Sequence, residues 1–368
     1  MQNIIKELDL SFQSSVDYLR IFYDVYMDSQ IIESSTDSQS LKSRIVVQIA
    51  HGMVEHKGRY EWVGMQLAQK GFVVVINDHR GHGKSIDSTH PWGEMKGKTQ
   101  GLGYAENTMD TESLNKMQND DLQNNAKISN APQKDTQNLS GFMRAVADMH
   151  KLTTIIKARF KPTHYVLLGH SMGSLLARSY LKSYKHELDT LILSGSPAYN
   201  PLVGFGQALA QMLNVCRLEQ WGKHLINNLS FGSFNKPFLH NEGEDNTKGG
   251  FAWLCRDKAI VEAYKADSAC QFIFSLESFI GLFEGMRQVN DMRGLQGENL
   301  PLLIISGSCD SCGDFGAGVE KIAYQYEQCG FNVELILYEG ARHEILNEIN
   351  KEQVLSDIIC FITKLSKK

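Results

Sequence analysis

Residues 165–174 read YVLLGHSMGS. An apolar run ends on Gly169, Ser171 follows between His170 and Met172, and Gly173 closes the phrase. The pattern G-x-S-x-G meets a steric demand. A serine raised on a sharp strand-to-helix turn takes a strained backbone, and small residues two places before and after it let the helix pass close to the neighbouring strand. The flanks suit this: VLLG reads as the end of a buried strand, and SLLARSYL favours a helix. The Ser171 hydroxyl is therefore expected at a helix N-terminus, above one edge of a sheet.

Short runs rich in β-branched residues recur on both sides of that phrase, at 45–50 (IVVQIA), 72–76 (FVVVI), 191–193, 302–305 and 333–337. Each is nearly continuous in apolar residues rather than alternating, which predicts strands buried on both faces of a parallel sheet. Between them Phe142, Val146, Met149, Leu152 and Ile155 recur at helical spacing, as do Val354, Leu355, Ile358, Phe361, Ile362 and Leu365 near the end. Strand alternating with helix predicts an α/β fold with a mostly parallel, doubly wound sheet. Two stretches break the rhythm. Residues 96–140 are polar and rich in Asn, Gln, Asp and Lys, and read as a solvent-exposed insertion that either gates substrate entry or hangs free. Residues 200–290 hold aromatics and helical patterns without a clear strand. They read as a helical cap inserted into a core formed by 1–199 and 291–368.

The chain has 368 residues, 42% of them hydrophobic, and a formal charge of −5 with acids and bases mixed throughout. That is ample for a large core and lacks the basic stripe that nucleic acid would require. No apolar run approaches the roughly 20 residues that cross a bilayer. The N-terminal MQNIIKELDLSFQSS has early acids and no sustained apolar stretch, unlike a signal peptide. Seven scattered cysteines point to reduced thiols, and with the N-terminus to a cytoplasmic protein.

A serine hydroxyl needs a base, and the base needs an orienting acid. Asp310 lies just beyond the strand in PLLIISGSCD, with Asp314 as its rival in the same loop. His343 lies after the next strand, in VELILYEGARHEILNE. Further phrases are His51-Gly52-Met53-Val54-Glu55-His56 with Arg59-Tyr60, then Asp78-His79-Arg80-Gly81-His82-Gly83-Lys84-Ser85, and FAWLCRD with EAYKADSACQF in the proposed cap. Together with GHSMG they resemble the monoacylglycerol lipase, lysophospholipase and carboxylesterase branch of the α/β-hydrolases, the serine aminopeptidase S33-like family. The resemblance runs from about residue 12 to the end, with 96–140 as the main departure.

The resemblance implies that Ser171 is the nucleophile, His343 the general base and acid, and Asp310 the orienting carboxylate. It also implies an oxyanion hole made by the backbone N–H groups of Met53 and Met172. No cofactor or metal is implied. The substrate would be a small ester or lipid, either a monoacylglycerol, a lysophospholipid or a simpler short- to medium-chain ester, with transient membrane or micelle contact through the cap. Substrate-binding residues and oligomeric state are left open.

His51, His56, His79 and His82 resemble a metal cluster, but they sit in loops that shape the site in the family. His170 reads as a packing residue and Glu55 as part of the loop. Asp78 and Arg80 read as a pair, or as binding nearby backbone. Cys309 and Cys312 form a C-x-x-C phrase, yet inside a hydrolase loop rather than at the helix N-terminus that redox motifs use. Ser171 excludes aspartate-nucleophile chemistry. An amidase or peptidase is disfavoured by HGMVEH in place of an HGGPG-like loop, and an inactive binding module by the presence of all three triad members.

Overall fold

A computed structural model of the protein describes residues 3–30, 44–97, 138–239 and 250–365. The apolar runs form β3 (Ile45–Ala50), β4 (Val73–Asn77), β5 (His164–His170), β6 (Thr190–Ser194), β7 (Pro301–Gly307) and β8 (Asn332–Tyr338). They are preceded by β1 (Ile4–Gln13) and β2 (Arg20–Asp28). The eight strands make one sheet in the order β1-β2-β4-β3-β5-β6-β7-β8. Pairing is parallel from β4 through β8 and antiparallel for β1 with β2 and β2 with β4.

Successive side chains of a strand face opposite ways, and the core divides accordingly. On one face Val46, Val75, Leu167 and Ile304 pack against α2 (Gly141–Phe160), α3 (Met172–Tyr184) and α8 (Ala317–Gln328) through Met149, Leu176 and Ile322. On the other, Val47, Val74, Leu168 and Ile305 pack against α1 (Glu61–Ala68) and α9 (Lys351–Leu365) through Leu67, Ile358 and Phe361. Helices on both faces make the sheet doubly wound, which is the α/β-hydrolase arrangement.

Between β6 and β7 lie α4 (Val203–Val215), α5 (Glu219–Phe231), α6 (Lys258–Ala266) and α7 (Leu276–Asn290), with no strand among the described residues. The helix α7 seats this group on the sheet layer: Gly285 leaves room for the ring of Phe142 in α2. Met95 N–H donates to Ser278 Oγ at 2.8 Å, so the start of the 96–140 stretch also rests on α7. Residues 98–137, the bulk of that stretch, lie outside the described residues.

Two features differ from the sequence expectation. The strands β1 and β2 had no apolar-run signal to reveal them: β1 (IIKELDLSFQ) is an edge strand, and its side chains are partly or fully exposed. The run at 333–337, expected to be buried on both faces, is the opposite edge. With a single neighbour, β8 is mostly half-buried.

Candidate active site

Ser171 stands between the end of β5 and the start of α3, with φ 53° and ψ −118°. That positive φ is costly for a residue with a Cβ. It persists because both sides are tightly packed: a Cβ on Gly173 would run into the Ala50 carbonyl of β3, and one on Gly169 into the carbonyl of Gly173. The Ser171 N–H donates to Ser194 O on β6 at 2.9 Å, fixing the turn from the neighbouring strand.

His343 and Asp310 reach Ser171 from the loops after β8 and β7. Ser171 Oγ lies 2.8 Å from His343 Nε2, and His343 Nδ1 lies 3.0 Å from both carboxylate oxygens of Asp310. Asp310 can only accept, so the ring proton sits on Nδ1, and Nε2 is left to receive the serine proton. Asp310 also accepts from the N–H of Cys312 at 2.8 Å. Asp314, the rival acid, is exposed and makes no bond to His343.

Burial alone would push the His343 imidazole down. The charge of Asp310 and its hydrogen bond outweigh this, and the pKa rises above 6.5. Burial would likewise raise Asp310, but His343 and the N–H groups of Cys312 and Gly313 hold it below the usual carboxylate range. His170, with its ring centroid 4.9 Å from that of His343, has no such carboxylate; burial and then the charge of His343 depress it to about 3.

The turn after β3 carries Gly52 and Met53. Gly52 is held down by Glu55, whose Oε1 accepts from its N–H. A side chain at Gly52 would meet that same oxygen, 2.6 Å from its Cβ. Met53 and Met172 both line the cavity beside Ser171. Met172 is the first residue of α3, so its N–H has no intrahelical acceptor. The Met53 N–H meets no acceptor among the described residues.

The cavity holds about 920 Å³, with Ser171 and His343 in its wall beside Leu209, Ile226, Leu282 and Phe283. Apolar walls of this size suit an organic ligand with a long hydrocarbon part. The segment 251–255 closes over the site. The Trp253 ring centroid lies 4.9 Å from that of His343, and Trp253 O accepts from the His343 N–H at 3.3 Å. Nothing local in FAWLCRD announced this contact, because its partner is 90 positions away.

The remaining sequence candidates divide cleanly. Asp78 accepts from the N–H groups of Lys57 and Lys84 at 2.8 and 2.9 Å. Arg80 pairs with Asp17 and Asp148 at 2.7 and 2.8 Å, so these two residues do not pair with each other. His51, His79 and His82 cluster behind the turn with ring centroids 4.2–6.4 Å apart. Burial depresses His79 to about 3 and His82 to about 4, and His51 falls well below 6.5 as well.

Among the described residues one group has metal-ligand chemistry: His56, Asp267 and Cys270, with ligand atoms within 4.8 Å of one another. Two of its members, His56 and Asp267, are already hydrogen-bonded to each other. His56 Nδ1 accepts from Gly58 N–H, so Nε2 carries the proton given to Asp267 at 2.8 Å. A metal-bound histidine would instead donate from its second nitrogen. Burial also pushes the Cys270 thiol up to about 12. The Cys312 thiol, raised by burial and then by Asp310, is no thiolate either; the C-x-x-C phrase serves Asp310 through a backbone N–H.

The serine aminopeptidase, S33 family model matches residues 42–128 and 129–350. The chain belongs to this family. Among its relatives, a monoacylglycerol lipase of Mycolicibacterium smegmatis is 26% identical over 356 residues, covering 95% of each chain. A lipase in open form superposes with a TM-score of 0.72 at 22% identity, over 99% of this chain and 100% of its own. A carboxyl esterase from Bacillus coagulans, solved with glycerol, gives 0.68 at 23% identity over the whole of both chains.

Proposed function

We propose that the protein hydrolyses carboxylic esters through an acyl-enzyme on Ser171. The observation that carries this reading is the linear relay from Ser171 Oγ through His343 to Asp310, opening on an apolar cavity. Ser171 attacks the ester carbonyl as His343 Nε2 takes its proton, and Asp310 stabilises the resulting imidazolium. The N–H groups of Met53 and Met172 receive the oxyanion, each such donor being worth roughly 3–4 kcal/mol of barrier in the best-measured case. His343 then protonates the leaving alcohol, and water repeats the cycle to release the acid.

The substrate class we infer is a monoacylglycerol or a lysophospholipid. The cavity supports it, as does the similarity to the M. smegmatis monoacylglycerol lipase. In this reading residues 200–290 act as a cap on the core formed by 1–199 and 291–368. Leu202, Phe205, Met212, Val215 and Trp221 are exposed on that part of the chain, and they suit transient contact with a micelle or membrane surface. No helix among the described residues is long and apolar enough to cross a membrane. All seven cysteines are unpaired, which suits a cytoplasmic setting.

Hydrolysis of p-nitrophenyl esters from two to sixteen carbons, of monooleoylglycerol and of a lysophosphatidylcholine tests the proposal, with wild type and Ser171→Ala compared. Ester turnover that drops on the order of 10⁴-fold or more in Ser171→Ala is the expected result. Turnover of an aminoacyl anilide but of no ester would replace the ester reading with a peptidase.

A further inference from the structure

Arg59 joins two loops that are 285 positions apart in sequence. Its Nη1 and Nη2 fork onto the two oxygens of Glu344 at 2.7 Å each, and Nη1 also meets Glu55 Oε2 at 2.8 Å. Glu344 is the residue after His343. Glu55 is the residue whose other oxygen holds the Gly52 N–H, next to Met53. Both carboxylates are buried, at 3% and 4% exposure, and the guanidinium is nearly so.

The set is enclosed on every side. Tyr60 OH donates to Glu55 Oε1 at 2.8 Å, and Asn347 Nδ2 donates to Glu344 Oε2 at 3.0 Å. Tyr264 of α6 lays its ring 4.8 Å from the guanidinium and donates its hydroxyl to Val54 O at 2.9 Å. The only cation touching the two carboxylates among the described residues is Arg59. The other titratable groups facing them are His343, which Asp310 and then both of these carboxylates raise against burial, His170, depressed to about 3, the thiols of Cys255, raised by burial, and Cys270, raised to about 12, and the tyrosines Tyr60 and Tyr264, raised well above the ordinary phenol range. All but His343 stay neutral near pH 7.

We propose that Arg59 is a positioning residue, a buried clamp that sets the spacing between the Gly52–Met53 turn and the His343 loop. The clamp rests on the ester-hydrolase reading for its effect on rate, though not for its structure. Removing one member of a buried charge network leaves the others uncompensated. In Arg59→Met, Glu55 and Glu344 face each other without a cation. One of them keeps a proton at lower pH. When it ionises at higher pH, two like charges push the turn away from the loop. Glu55 is the one expected to hold the proton, since burial raises it even with Arg59 in place.

The test follows kcat and KM for a p-nitrophenyl ester from pH 5 to 9 in wild type, Arg59→Met, Arg59→Lys and Arg59→Met/Glu344→Gln. Arg59→Met is expected to lose about 10²-fold in kcat, the scale of a 1 Å misplacement, with KM little changed. Its rate should also fall with rising pH on the alkaline side, where wild type holds level. The double variant removes the repulsion and should lose that falling limb. Arg59→Lys keeps the charge without the fork, and should lose about 10-fold with no falling limb; it carries the test if Arg59→Met does not fold.

Nitrogen-15 NMR of the His343 ring over the same range needs no substrate. A second inflection above neutral pH is expected in Arg59→Met alone. Its absence, or an Arg59→Met profile that tracks wild type, overturns the clamp. A wild type that hydrolyses no ester while the second inflection is present would sink the ester reading and leave the clamp standing.

Discussion

Two groups of buried imidazoles flank the same sheet edge, and they differ by one carboxylate. His343 lies against Asp310 at 3.0 Å, and its pKa rises above 6.5. His51, His79 and His82 lie behind the Gly52 turn among one another, and all are depressed. Burial acts the same way on both, disfavouring the charged ring. Only the partner separates an imidazole that can take a serine's proton and keep it from one that stays neutral and spaces a loop. The cluster of His51, His79 and His82 is therefore the less chemical of the two groups, although the histidine-rich HGMVEH and DHRGHG phrases that hold it are the more conspicuous in sequence.

The strongest way to break this contrast is Asp310→Asn, which turns the His343 site into a neutral-partner site. Steady-state kinetics should show a loss of about 10⁴-fold in kcat, as expected when the acid fixes the tautomer. Asp314→Asn should stay within a few-fold of wild type, and the reverse pattern would reassign the acid. A second effect sharpens the contrast in wild type. Activity should rise with pH through a limb centred above 6.5, because His343 must be deprotonated to act as base and Asp310 favours the protonated form. A limb at or below 6.5 would mean that the pairing is weaker than the geometry implies.

The smallest effect concerns the silent histidines. Between pH 6.5 and about 4, the unfolded chain binds a proton at His82 that the folded chain refuses. Stability should therefore fall as pH falls through that window, by about 1.4 kcal/mol per pH unit for each such imidazole. Replacing the ring by His82→Phe, beside Phe272 and Phe274, should make the slope of denaturant-measured stability shallower by about that amount. An unchanged slope would show that His82 is not refused a proton.

Legibility in the sequence followed the range of the interactions. The β5–Ser171–α3 turn is local, and its two glycines and apolar flanks expressed it within ten residues. The parallel strands were legible because burial on both faces demands unbroken apolar runs; β1 was not, because an edge strand carries polar residues on its open side. Asp310 and His343 could be placed in loops after strands, but choosing Asp310 over Asp314 from sequence needed the family pattern; the distances separate the two. The Arg59–Glu344 fork and the Trp253–His343 contact left no local trace, since neither residue type nor spacing encodes a partner that the sheet brings from the far end of the chain.

The most direct measurement of the central claim is covalent trapping with a p-nitrophenyl alkylphosphonate, followed by peptide mass mapping, in wild type and His343→Ala. The account expects a single stable adduct on Ser171, formed rapidly in wild type and slowed by orders of magnitude without His343. An adduct on another residue, or equal rates in the two proteins, would contradict it.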